Sequence, residues 1–134
     1  MADEKGRCVV LADSHQNVLE GLRNLLETVF DTVIMVADRQ SLFEAVEKVK
    51  PDLAVVDLSL PPANNDSIAR EMKDYFPELE FIILSVHDEP TVIYEMMSAG
   101  ASGFVLKQSV AMDLLDAVRS VREGRAFVST SVKI

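Results

Sequence analysis

Pro51-Asp52-Leu53-Ala54-Val55-Val56-Asp57-Leu58 is a short apolar run, rich in β-branched residues, that ends in a carboxylate. A run of this length and composition, entered through Pro-Asp, reads as a strand buried on both faces. Asp57 stands where that strand leaves its sheet. Packing gives no reason for an acid there. A carboxylate at the end of a central strand either caps the next turn or does chemistry.

Outward from this run, short apolar segments alternate with amphipathic ones. Toward the N-terminus, Thr32 to Val36 is a strand, and so is Arg7 to Ala12 with its Cys-Val-Val-Leu-Ala core. Between them, Gln16 to Phe30 carries Val18, Leu22, Leu25, Leu26 and Val29 at helical spacing. Asp38 is a natural cap for a helix with Leu42, Ala45, Val46 and Val49 inward, which Pro51 stops. Toward the C-terminus, Pro61-Pro62-Ala63-Asn64-Asn65 is a breaker cluster and reads as a loop. A helix to about Tyr75 follows, with Ile68, Ala69 and Met72 inward. Phe81 to Val86 is a fourth strand, Thr91 to Ala99 a helix ended by Gly100, and Gly103 to Leu106 a fifth strand. Ser109 is placed to cap a last helix, with a stripe at Met112, Leu115, Val118 and Val121 and an end at Gly124. Residues 125–134 read as a weakly structured tail or the start of a linker, leaving 1–124 as the domain.

Five strands alternating with five helices, the strands continuously apolar, require a parallel sheet covered on both faces with right-handed crossovers. The expected architecture is a flavodoxin-like doubly wound α/β sandwich.

The chain has 134 residues, enough for one domain, with 49% hydrophobic and 26% charged residues. Its one cysteine, Cys8, cannot form an internal disulfide and sits in an apolar run. No signal-peptide pattern and no stretch of membrane-spanning length is present, so a cytoplasmic protein with no membrane contact is expected. The net charge of −9 argues against direct nucleic-acid contact by this segment, which would need a basic face.

In open parallel sheets ligands sit at the carboxyl ends of the strands. Those ends deliver Asp13, Asp57, Ser85 and Lys107 to one edge. Singly, Asp13 is a helix cap, Ser85 a satisfied hydroxyl and Lys107 a solvated cation. Together, two carboxylates, a hydroxyl and an ammonium suit phosphoryl chemistry. Asp57 is the candidate nucleophile, forming an acyl phosphate. Asp13 and Asp57 are candidate ligands for Mg2+, which takes one or two carboxylates. No glycine-rich phosphate loop is present.

These residues resemble a known family. Residues 9–27, Pro51-Asp52-Leu53-Ala54-Val55-Val56-Asp57-Leu58-Ser59-Leu60-Pro61, Leu84-Ser85-Val86-His87-Asp88 and Ala99-Gly100-Ala101-Ser102-Gly103-Phe104-Val105-Leu106-Lys107 look like receiver domains of two-component response regulators, in the NarL/FixJ/LuxR subfamily. The resemblance implies the CheY-like strand order 2-1-3-4-5 and phosphotransfer from a histidine kinase, or a phosphotransfer protein, to Asp57. It implies that Lys107 pairs with the phosphoryl oxygens, that Ser85 moves toward them, and that Phe104 is the aromatic switch. It further implies Mg2+ held by Asp13, Asp57, the residue at position 14 and the backbone carbonyl of Ser59. A homodimer, through the surface of the fourth helix, its flanking strand and the last helix or through the first and last helices, and a C-terminal DNA-binding output domain controlling transcription, belong to the same expectation.

The sequence departs from the family pattern at three places. Ser14 stands where a second acid is usual, and a hydroxyl is the poorer ligand for a hard cation. Pro62 and Asn64-Asn65 replace a glycine-containing turn, and Gln108 follows Lys107 where proline or aspartate is frequent. Two functions therefore compete: a phosphoacceptor with at most weak self-phosphorylation and self-dephosphorylation, not a metabolic enzyme, and an atypical receiver that acts as a phosphorylation-independent interaction module. Hydrolytic or metal catalysis using His15 and His87 with Ser85 and the acids lacks a nucleophile elbow or a helical His pair.

Overall fold

The computed structural model describes residues 7–61 and 68–129. The turn at Pro62 to Asn65 and the inward placement of the Val18 side chain lie outside the described residues. The order of elements is β1 (Cys8–Ala12), α1 (Gln16–Leu26), β2 (Thr32–Val36), α2 (Arg39–Val49), β3 (Leu53–Asp57), α3 (Ile68–Tyr75), β4 (Glu80–Ser85), α4 (Pro90–Ser98), β5 (Gly103–Leu106), α5 (Val110–Arg122) and β6 (Phe127–Val128). A 3-10 turn, Lys107–Ser109, joins β5 to α5.

All strand pairs are parallel, in the order β2-β1-β3-β4-β5-β6. β3 lies between β1 and β4, so the run that reads as a central strand is one. Side chains alternate across the sheet. Val10, Ala54, Val56, Ile83 and Phe104 face one layer with Leu42, Met72 and Met96 of α2, α3 and α4. Val9, Leu11, Val55, Ile82 and Val105 face the other with Leu22, Leu26, Leu114 and Val118 of α1 and α5. Every residue of β1, β3 and β5 is buried, as a sheet covered on both faces requires.

Four expectations change. β2 is an edge strand and only half-buried, with Met35 at the surface. The first helix ends at Leu26 rather than Phe30; Thr28 Oγ1 donates to the Leu25 carbonyl at 2.6 Å where the chain leaves it. Met112 is 79% exposed, and the buried stripe of α5 is Leu114, Ala117, Val118 and Val121. Phe127 and Val128, placed in a weakly structured tail, pair with Gly103 and Phe104 as a sixth strand. Ser129 is buried there: its N–H donates to the Phe104 carbonyl at 2.9 Å and its hydroxyl accepts the Leu106 N–H at 3.0 Å.

The stop before β3 has a specific form. Lys50 takes φ of 52° and donates its N–H to the Val46 carbonyl, closing α2. The right-handed helical region is disfavoured before a proline, so Pro51 enforces this exit. Asp52 then exchanges backbone and side-chain bonds of 2.8 Å with Cys8, aligning the starts of β3 and β1. Cys8 is buried and free; burial, and to a lesser extent the Asp52 charge, push its thiol up.

Candidate functional site

The carboxyl ends of β1, β3, β4 and β5 meet in one cleft of about 620 Å³, lined in part by His15, Asp57, Ser59, Ser85, His87 and Lys107. Val92 and Met96 of α4 form an apolar wall.

Asp57 closes β3 and is 2% exposed. Ser59, two residues on, donates its backbone N–H to Oδ1 and its hydroxyl to Oδ2, both at 3.1 Å. Lys107, the first residue after β5, places Nζ 2.9 Å from Asp57 Oδ2. Burial alone pushes the Asp57 carboxyl up and is the largest single influence. The Lys107 bond, the Ser59 N–H, the Lys107 charge and the Ser59 hydroxyl together outweigh it, holding the carboxyl below its usual range. Asp57 is thus an ionised carboxylate at neutral pH, the form a nucleophile needs.

Asp13 follows β1 and is fully buried. Its N–H donates to the Val36 carbonyl, which extends the β1–β2 ladder by one bond. Oδ1 accepts the His15 N–H at 2.8 Å. Oδ2 lies 3.1 Å from Lys107 Nζ at ion-pair distance but off hydrogen-bond alignment, and among the described residues it has no hydrogen-bond partner. Lys107 therefore bridges two buried carboxylates from strands 1 and 3, with its own side chain only 12% exposed.

Ser85, at the end of β4, is buried, and its hydroxyl accepts the His87 N–H at 2.9 Å. Phe104 is fully buried in the layer toward α2, α3 and α4. Ser14 is exposed and does not line the cleft. Ser59, expected to offer its carbonyl, grips Asp57 through its N–H and hydroxyl.

One residue gains a place that periodicity could not give it. His15 reads as a solvated loop histidine, and its side chain is 54% exposed. Yet Nδ1 turns inward, 3.0 Å from Asp13 Oδ1, 3.2 Å from Asp57 Oδ2 and 3.1 Å from Lys107 Nζ. The available signal was its position two residues after Asp13, where an aspartate side chain bonds the backbone N–H and turns the chain. His87 behaves as expected of a solvated side chain, 58% exposed and 3.5 Å from Glu89.

A family model described as the response regulator receiver domain matches residues 9–119. The chain belongs to this family. The receiver domain is 32% identical over 126 residues to the transcriptional regulatory protein DegU of Brevibacillus brevis, an alignment that covers 92% of this chain and 53% of DegU. Among solved structures, the RcsB response regulator of Salmonella typhimurium superposes with a TM-score of 0.86 at 28% identity, over 94% of this chain and 64% of that one. The isolated receiver of RcsB from Salmonella enterica serovar Typhimurium, with the phosphomimetic BeF3-, gives 0.84 at 27% identity, covering 94% and 95%. These relatives set the chain among LuxR-type receivers. The chain spans about half the length of the curated relatives it matches. No helix among the described residues is long and apolar enough to cross a membrane.

Proposed function

We propose that this receiver domain accepts a phosphoryl group on Asp57 from the phosphohistidine of a histidine kinase or phosphotransfer protein. An Asp57 carboxylate oxygen attacks phosphorus, the phosphorus–nitrogen bond breaks, and the departing imidazole keeps the electron pair and takes a proton. Lys107 Nζ, already 2.9 Å from Asp57 Oδ2, then follows the negative charge onto the phosphoryl oxygens. The Ser85 hydroxyl, which accepts the His87 N–H, is able to rotate its own proton toward them. Phe104, on β5 three residues before Lys107, is the residue expected to shift with it. A bound divalent cation neutralises phosphoryl charge in such chemistry. The buried Asp13 Oδ2, without a hydrogen bond, fits that requirement.

The observation that carries this reading is the single ammonium held between two buried carboxylates at the strand ends. The likeness to longer regulators such as DegU supports, for the whole protein, a LuxR-type DNA-binding output domain joined to this one and a cytoplasmic setting. The activity is that of a relay with weak self-dephosphorylation rather than of a metabolic enzyme. One feature favours a second reading, a phosphorylation-independent interaction module: Ser14 is turned to solvent where a carboxylate ligand is expected.

Acetyl phosphate across a Mg2+ titration, read by intact mass, separates the two. The phosphotransfer reading requires an acid-labile phosphoryl adduct that Asp57→Asn removes. Folded protein without an adduct at any concentration of Mg2+, or of Co2+ in its place, leaves the interaction module.

A further inference from the structure

We infer that His15 is a metal ligand and that it turns this site from an all-oxygen Mg2+ site toward one for a nitrogen-accepting first-row dication of the Zn2+ class. The inference concerns the same site as the proposed phosphotransfer, but metal binding is read without any phosphodonor, so the two readings fail separately.

Three observations carry it. First, one ligand atom each from Asp13, His15 and Asp57 falls within a 4.8 Å cluster, and both carboxylates are buried. Secondly, the spacing within the cluster suits one ion. Two donors each about 2.1 Å from an ion stand about 3.0 Å apart at right angles and about 3.4 Å apart at the tetrahedral angle. His15 Nδ1 is 3.0 Å from Asp13 Oδ1 and 3.2 Å from Asp57 Oδ2. Thirdly, Asp13 Oδ2 is buried and, among the described residues, makes no hydrogen bond, with the Lys107 ammonium 3.1 Å away.

Charge and ligand chemistry fix the kind of ion. The site holds two carboxylates against one ammonium, so a dication is favoured over the single charge of Lys107. Lys107 has a flexible stem with which to withdraw. The side chain that would have given a third carboxylate is Ser14, which faces solvent. The third donor is therefore imidazole. Mg2+ takes oxygen ligands in a strict octahedron, whereas imidazole suits Zn2+ and its neighbours, whose affinities also rise along the first row.

The test uses the full, untagged, metal-free chain titrated with Co2+ as a visible probe, then with Zn2+ and Mg2+ as competitors. The expected result is a set of d–d bands that Zn2+ abolishes near one equivalent and a hundredfold excess of Mg2+ does not. His15→Gln lowers Co2+ affinity by about tenfold or more, leaves Mg2+ affinity unchanged and keeps the circular dichroism of the parent. His87→Gln, which removes the other imidazole in the cleft, changes neither affinity. Ser14→Asp raises Mg2+ affinity. Unchanged Co2+ affinity in His15→Gln overturns the inference. So does displacement of Co2+ by Mg2+ at equal concentration, or loss of the bands in His87→Gln in place of His15→Gln.

Discussion

Lys107 sets one positive charge against two carboxylates that water barely reaches. Removing one partner of a buried ionic cluster leaves the others uncompensated and costs about 3–5 kcal/mol. Lys107→Met should therefore destabilise the fold by about 3 kcal/mol at pH 7, read as a shift in the urea midpoint. The pH dependence carries a sign. In the parent, the Asp57 carboxyl is held below its ordinary value. Its contribution to stability is thus complete above the ordinary carboxylate range and is lost as pH falls through the lowered value. In Lys107→Met, burial is no longer opposed by the ammonium, so the carboxyl rises and the variant gains relative stability on acidification. The gap between parent and variant should narrow from pH 7 to about pH 4, near the unperturbed carboxylate value. A gap that widens would show that Lys107 is not the group holding Asp57 ionised. Asp13, Asp57, Ser85 and Lys107 were legible in the sequence because strand ends in a parallel sheet are fixed by periodicity. His15 was not, since its ring direction is set by a bond from its own N–H to the Asp13 side chain, a local turn that no hydrophobic pattern encodes.

Helix α5 shows how far an apolar stripe can mislead. Met112, Leu115, Val118 and Val121 advance by three residues each. At about 100° per residue, each step falls 60° short of a full turn, and Met112 ends on the side opposite Val121. Leu114, Ala117, Val118 and Val121 keep to one face and are the ones buried. Met112→Gln should change stability by less than about 0.5 kcal/mol, whereas Leu114→Ala should cost about 2–5 kcal/mol, both from denaturant curves. The end of α4 was read correctly for a reason the backbone confirms. Gly100 adopts φ of 123°, and a β-carbon there would come within 2.9 Å of the Lys73 side chain. Gly100→Ala should lower stability by at least about 1 kcal/mol through backbone strain, seen as a reduced thermal midpoint. Helix and strand identities were legible throughout because each element carries its own period. Ends were less so: α1 stops at Leu26 although Val29 and Phe30 continue its apolar pattern and pack on the same core layer.

At the scale of the whole molecule, the layer order and the place of β3 at the sheet's centre follow from the buried runs, while β6 was illegible. Two residues are too few to show a strand period, and Arg125 and Ala126 before them carry no turn signal. Its effect is nonetheless concrete, since Ser129 occupies both the Phe104 carbonyl and the Leu106 N–H at the sheet edge. A chain ended at Gly124 should expose the β5 edge, melt at lower temperature and self-associate in light scattering. The strand order has a further consequence for how the chain folds. After β1 and β2 pair, every later strand joins the same growing edge in the order of synthesis, so no segment has to be threaded between strands already placed. The two acids come together when β3 docks beside β1, but Lys107 arrives only with β5, 50 residues after Asp57. Any partly folded species containing β1 to β4 thus buries two like charges without the ammonium that balances them. Such a species is penalised until the fifth strand docks, so the same cluster that binds charge in the finished domain makes the docking of β5 cooperative.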